Sequence, residues 1–352
     1  MPPSRNGKEP KRDNFTIIPN ILDTLLGGRE RLREETGLRT LEQRVALLRL
    51  QGKDGYQDAL LNIAKGDQAT LALWSQPFTA EERQHRRQVI FDLWLAGGTE
   101  REVEKALQLG HGTVRDVLKV ERPRRLAALS PKEQAPVYNV WSFGGCDPRF
   151  GQKHPGQIPG QAVVALLLWL TQPYDFVVDP MAGGGTTVDV CKYLQRRYYC
   201  SDIDPRRPDI RQWNIREGYP RLPRKPNLIF LDPPYWRLKR DEYSGDGAAM
   251  GSYEDWLGFM AKLAKASAHA VSPGGYVALM VESFLDEKVS NEFLFLNRDC
   301  LNLFEGARLE GIQEIAVNMP SQIKSFRDVE YAKRKGILLD LKRELFVFRS
   351  PL

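Results

Sequence analysis

The sequence is poor in the residues that would mark several classes of protein. Cysteine occurs four times in 352 residues, at positions 146, 191, 200 and 300, with no C-x-x-C pair among them. Such scatter argues against a disulfide framework and a structural zinc site, and it fits a reducing cytoplasm. Histidine is as scarce, with four residues; His85, His111 and His269 stand alone and are assigned no chemistry. Long apolar runs are missing: Ala162 to Leu170, the longest, is about half of what a bilayer span needs. The opening MPPSRNGKEPKRDN is polar and basic, without the apolar segment of a secretory signal. Repeats and low-complexity tracts are absent. A soluble cytoplasmic protein without a metal is expected.

What is present is an ordinary globular composition, 42% hydrophobic and 27% charged, with a net charge of +6. The basic lean suits a polyanionic partner without requiring one. The length allows two domains. Residues 1–14 read as a disordered tail. From 15 to 130 the apolar residues recur at three- and four-residue spacing, as in LRTLEQRVALLRLQ and in FTAEERQHRRQVIFDLWLAGG, where Thr79 and Glu82 have capping-box spacing. The basic, proline-bearing ERPRRLAALSPKEQAP (121–136) is the boundary. From 137 to 352 the pattern alternates. Strands are expected at 175–180, 197–202, 227–232, 275–282, 312–318 and 344–349, and helices at 164–170, 186–195, 253–270 and 285–304. That alternation predicts an α/β fold: a doubly wound, Rossmann-like parallel sheet preceded by an α-helical domain. The last two strands, joined by a basic segment of less helical character, are expected to form an antiparallel hairpin at one edge.

In such a sheet, ligands sit beyond the carboxyl ends of the strands. Three unusual segments lie there. VVDPMAGGGTTVDV runs from a strand through Asp179 and Pro180 into glycines and a helix start, which lets backbone approach a ligand and offers N–H donors. It lacks the lysine of a G-x-x-x-x-G-K-[ST] loop, which disfavours a nucleoside triphosphate. YYCSDIDP ends the next strand on Asp202, placed to hold ribose hydroxyls. LDPPYW, residues 231–236, ends a third strand on a rigid, acidic, aromatic-tipped turn. Each alone has a plain structural explanation: a packed turn, a helix cap, a strand stop. Together, in this order on one sheet, they point to a site.

These residues resemble the S-adenosylmethionine-dependent amino-methyltransferases that act on exocyclic nitrogens of adenine or cytosine in DNA. DPMAGGGTT is similar to that family's D-P-F-x-G-S-G-T-T cofactor motif, with Met181 and Gly184 standing where phenylalanine and serine are usual. KHPGQIPGQAVVALLLWL resembles its H-P-x-x-x-P segment and following helix, and DPPYW its [DNS]-P-P-[YFW] catalytic motif. The resemblance implies a Rossmann-like methyltransferase domain and S-adenosyl-L-methionine as cofactor. It assigns cofactor contacts to His154, Pro155, Asp179, Pro180, Met181, Ala182, Gly183, Gly185, Thr186, Thr187 and Asp202. It assigns catalysis to Asp232, Pro233, Pro234 and Tyr235. An exocyclic amine is a poor nucleophile because its lone pair is delocalised into the ring. Acceptors on its hydrogens, from the Asp232 carboxylate and the Pro233 carbonyl, would favour the geometry that frees the lone pair. Tyr235 would stack on the base once it is flipped out of the duplex.

Aspartate at the head of the turn favours N6 of adenine; N4 of cytosine and an RNA amine are the alternatives within the enzyme class, and a non-catalytic DNA-binding regulator is the alternative outside it. The stretch between Asp202 and Pro226 is short, so an abbreviated third strand is expected. Double-stranded DNA is the expected partner, and a restriction endonuclease is a companion compatible with the family. For target recognition, GGTEREVEKALQLGHGTVRDVLKVERPRR (97–125) resembles a helix-turn-helix. Thr99 caps the first helix, and the second presents Thr113, Arg115 and Lys119, followed by Arg124 and Arg125. The basic segment 321–343 and the glycine-rich loop 237–252 are further candidate DNA contacts.

Overall fold

The computed structural model describes residues 80–107, 109–153, 157–234, 252–286, 292–318, 326–336, 338–339 and 341–352. The expected tail, the helices before residue 80, Thr79 of the capping box and the loop from 237 to 251 lie outside these. The chain divides into two compact units, residues 1–94 with 98–121, and residues 95–97 with 122–352.

In the first unit, α1 (Ala80–Leu95) is followed by α2 (Glu100–Ala106) and by the start of α3 (Thr113–Ala128). Thr99 caps α2 as expected. Its hydroxyl accepts the Glu102 N–H at 3.2 Å, and the Glu102 carboxylate accepts the Thr99 N–H at 2.9 Å, so two end-of-helix donors are satisfied reciprocally. The turn to α3 is fixed by a buried acid that the sequence pattern does not single out. Glu104 Oε1 accepts the N–H groups of Gly112 at 2.7 Å and Val114 at 3.4 Å. Val103, Val114 and Leu118 are buried.

The second unit is built on an eight-stranded sheet. Its strands are β1 (Val140–Trp141), β2 (Phe176–Asp179), β3 (Arg197–Asp202), β4 (Arg211–Gln212), β5 (Leu228–Leu231), β6 (Tyr276–Val281), β9 (Glu310–Asn318) and β10 (Lys342–Arg349), in the order β1-β9-β10-β6-β5-β2-β3-β4. β10 runs antiparallel to both its neighbours, while the pairings among the other strands are parallel. Helices α4 (Gly160–Leu170), α5 (Thr186–Tyr193), α6 (Tyr253–Ala270) and α7 (Leu296–Gly306) connect them. Strands β2 and β5 are buried at every position, as a sheet covered on both faces requires. This is the expected doubly wound α/β sheet.

Three expectations need correction. The helix expected over 285–304 starts only at Leu296; before it, β7 (Phe284–Asp286) and β8 (Glu292–Leu294) pair as an antiparallel hairpin. Leu285, Val289 and Phe293 fall at four-residue spacing, which reads as helix, but segments rich in aromatic residues suit strand pairing equally well. The final strands do pair antiparallel, β9 with β10, as expected, but the pair is not the outermost, because the two-residue β1 flanks β9 and β10 lies between β9 and β6. The basic segment between them carries a helix, α8 (Phe326–Lys335). The third strand is abbreviated as expected, β4 having two residues. No helix among the described residues is long and apolar enough to cross a membrane.

Candidate active site

The order of the sheet locates the site before any side chain is considered. From β2 the chain moves outward through β3 to β4, then returns to place β5 on the other side of β2. Such a reversal, beyond the carboxyl ends of β2 and β5, is where open α/β sheets bind ligands. The glycine loop leaves β2, and the Asp-Pro-Pro turn leaves β5.

Asp179, the last residue of β2, is buried and organises the loop. One carboxylate oxygen accepts the Met181 N–H at 3.0 Å, and the other accepts the Thr187 hydroxyl at 2.6 Å. Burial pushes its carboxyl up to about 7, against the pull of those two hydrogen bonds; the nearby Asp232 and Asp202 add to the rise. Ala182 N–H bonds the Ser201 carbonyl at 3.0 Å, tying the loop to β3. Asp202 ends β3 with one oxygen on the Gly183 N–H at 2.8 Å and the other on the Asp204 N–H at 3.0 Å. Its carboxyl is also raised, chiefly by burial. A carboxylate offers about four lone-pair sites, so those two bonds leave acceptor capacity. Ile203, the next residue, is a large apolar side chain left exposed.

Gly185 precedes α5 with φ of +85°, a region that disfavours side chains. A Cβ there would meet the Arg207 guanidinium at 2.7 Å. Arg207 holds that place through a double fork. Its Nη1 and Nη2 donate to Asp189 at 2.7 Å each, and its Nε and Nη2 to Asp209 at 2.9 and 2.7 Å. Asp189 also accepts the Gly151 N–H at 2.8 Å. The glycine loop is therefore braced by an ion network that motif reading missed. The only sequence signal is RRPD shortly after Asp202, which looks like a solvated charge run.

At the end of β5, Asp232, Pro233 and Pro234 are described, and the Pro234 carbonyl accepts the indole N–H of buried Trp256 at 2.9 Å. Trp256 stacks on Tyr253 with centroids 5.9 Å apart, and the Tyr253 hydroxyl donates to Asp299 at 2.6 Å. Asp232 Oδ2 lies 3.7 Å from Nη1 of buried Arg343 on β10. Among the expected site residues, Asp179, Met181, Gly183, Thr187 and Asp202 are thus joined by direct hydrogen bonds. Pro180, Ala182, Gly185 and Thr186 belong to the same loop and helix start. His154, Pro155 and Tyr235 lie outside the described residues.

The expected DNA contacts fall on both units, with Thr113, Arg115 and Lys119 in the first and Arg124 and Arg125 in the second. Arg115 pairs with Glu100 at 3.2 Å and Lys119 with Asp116 at 3.1 Å, all on exposed surface. No group of three or more His, Cys, Asp or Glu among the described residues is arranged to hold a metal.

Residues 58–212 match the model of a DNA methylase family, the N6/N4 methyltransferases. That stretch, a little under half of the chain, is similar to the N6/N4 DNA methylases. The Type II methyltransferase M.BglII of Bacillus subtilis is 34% identical over 84 residues, 23% of this chain and 23% of the relative. The aligned stretch therefore spans about a quarter of that relative's length. Among solved structures, TrmN from Thermus thermophilus shares 17% identity over 56% of this chain and 50% of its own, at a TM-score of 0.36. N-methyltransferase NodS from Bradyrhizobium japonicum WM9 shares 14% over 55% and 96%, at 0.35. Overlaps this slight do not bear on substrate. The sheet order makes the fold a doubly wound, Rossmann-like α/β fold in its own right.

Proposed function

We propose that the protein is an S-adenosylmethionine-dependent DNA amino-methyltransferase that methylates N6 of adenine in a specific sequence. The observation that carries this reading is the switch point of the sheet, where the braced glycine loop leaves β2 and Asp232-Pro233 leaves the neighbouring β5. The loop suits the cofactor: Gly183 and Gly185 have positive φ, Asp202 has acceptor capacity for ribose hydroxyls, and exposed Ile203 offers an apolar surface for a purine. When bound, S-adenosylmethionine supplies a methyl group already activated on a sulfonium.

The chain's own residues then act on the amine. Asp232 accepts one amine hydrogen and the Pro233 carbonyl the other, which pulls the nitrogen out of conjugation with its ring. Proline fixes φ at Pro233, and Pro234 restricts Pro233 in turn, so the backbone acceptor is preorganised. The Trp256 bond to the Pro234 carbonyl secures the turn from behind. Tyr235 is proposed as the stacking platform for the flipped base, and the α2–α3 helix-turn-helix as the element that reads the sequence.

Nucleoside mass spectrometry tests this directly, after incubation with the cofactor and unmethylated DNA, with RNA in parallel. N6-methyladenine in DNA alone is the expected result. N4-methylcytosine, or a product only in RNA, would move the substrate. No product anywhere would favour a non-catalytic regulator. Asp232→Ala is expected to slow transfer by at least about 10²-fold while calorimetry finds cofactor affinity unchanged; equal loss of both would remove Asp232 from the chemistry.

A further inference from the structure

Arg343 is 2% exposed at the start of β10, on the face it shares with Leu345 and Val347, which are buried and apolar. A guanidinium in such surroundings is costly to bury unless charges pair with it. Two carboxylates flank it. Its Nε donates to Oε2 of Glu282 at 3.3 Å, and its Nη1 lies 3.7 Å from Oδ2 of Asp232. Register explains the meeting. Glu344 pairs with Val281 across β10 and β6, so Arg343 falls beside Glu282, which directly follows β6; Asp232 directly follows β5, the next strand over. The three charges thus collect at the same end of three neighbouring strands.

We propose that Arg343, clamped by Glu282, is a positioning residue that fixes the Asp232 carboxylate for the amine. The inference rests on the role given to Asp232 above. The prolines fix the backbone beyond Asp232 but not its terminal torsion, which is broad for a carboxylate. A guanidinium facing Oδ2 restrains that torsion. Arginine suits the task because its planar fork can address two carboxylates in different directions while staying charged. Glu282 is 4% exposed and Asp232 25%, so the more accessible anion is the one assigned to chemistry.

The test compares Arg343→Lys, Arg343→Met and Glu282→Gln in the full chain. It measures the single-turnover rate of methyl transfer to unmethylated DNA and S-adenosylmethionine affinity by calorimetry. Arg343→Lys keeps the charge but cannot span both carboxylates. We expect its rate to fall about ten-fold and that of Arg343→Met about a hundred-fold, as for a misplacement of about 1 Å, with cofactor affinity retained. Glu282→Gln, which preserves volume, is expected to lose about ten-fold and decides the matter if Arg343→Met does not fold. On an Asp232→Asn background, Arg343→Lys should cost little more, because both changes act on one group. Wild-type rates for Arg343→Lys and Glu282→Gln, with Asp232→Ala inactive, would overturn the positioning role and leave Asp232 in place. Matching losses of rate and cofactor affinity would make Arg343 a structural residue only. A fully active Asp232→Ala would instead overturn the role of Asp232 itself.

Discussion

Asp179 is the residue on which the site's electrostatics turn. Its side chain is buried with two donors on it and two other acids nearby, and its carboxyl is raised to about 7, against about 3.9 in an unfolded chain. The folded protein therefore holds this proton more tightly than the unfolded one. The stability it contributes is fully present below about pH 4 and is lost as pH rises through about 7. Asp179→Asn removes that dependence. Thermal melts at pH 5 and pH 8 are expected to show the variant gaining on the wild type at the higher pH; a constant difference would mean that the carboxyl is not raised. Cofactor motifs put Asp179, Gly183 and Asp202 in view from the sequence, because strand ends, glycines and a following acid are local patterns. Arg207, Trp256 and Arg343 were out of view. Arg207 bonds Asp189 in the preceding helix, Trp256 bonds the turn after β5 and Arg343 meets charges on other strands, and each sits in a segment that reads as a charge run or as ordinary core.

At the scale of elements, the α2–α3 turn depends on one buried carboxylate. Glu104→Ala would leave the Gly112 and Val114 N–H groups without their acceptor, at a cost of about 1–3 kcal/mol. Chemical denaturation should register it in the unit that holds residues 98–121. If α3 reads DNA, alanine at Arg115 and Lys119 should weaken DNA binding and reduce its salt dependence by about one power of salt for each phosphate no longer neutralised. Calorimetry with the cofactor should not change. An unaltered salt slope would assign those side chains to their partners Glu100 and Asp116 alone. The two helices and their glycine turn were legible because caps and turns are written in adjacent residues. The β7–β8 hairpin was not, since Leu285, Val289 and Phe293 satisfy a helical period as well. The two-residue strands β1 and β4 carry no periodicity at all; tertiary pairing alone makes them strands.

Across the whole molecule, the sequence displayed the strands but not their order. Alternation specifies a doubly wound sheet, and six of the strands appeared where apolar runs ended on turn residues. The place of β10 could not be read, because an antiparallel strand inside a parallel sheet has the same local pattern as one at its edge. Its position matters for stability. Truncation before Lys342 would remove the partner of both β6 and β9 and bare two strand edges, a template for aggregation. Such a chain is expected to be largely insoluble on expression; a soluble, cofactor-binding product would show that the sheet tolerates the gap.

That arrangement also ties function to synthesis. Chains emerge at about 5–20 residues per second, and the glycine loop and the Asp-Pro-Pro turn are made more than a hundred residues before Lys342. A nascent chain could assemble β2, β3 and β5 early, yet the sheet cannot close until β10 slides between strands already formed. Arg343 arrives with that strand. An unfinished chain would thus carry the glycine loop and the acid without the cation between its two carboxylates, and the methyl transfer proposed above would wait for β10 to dock.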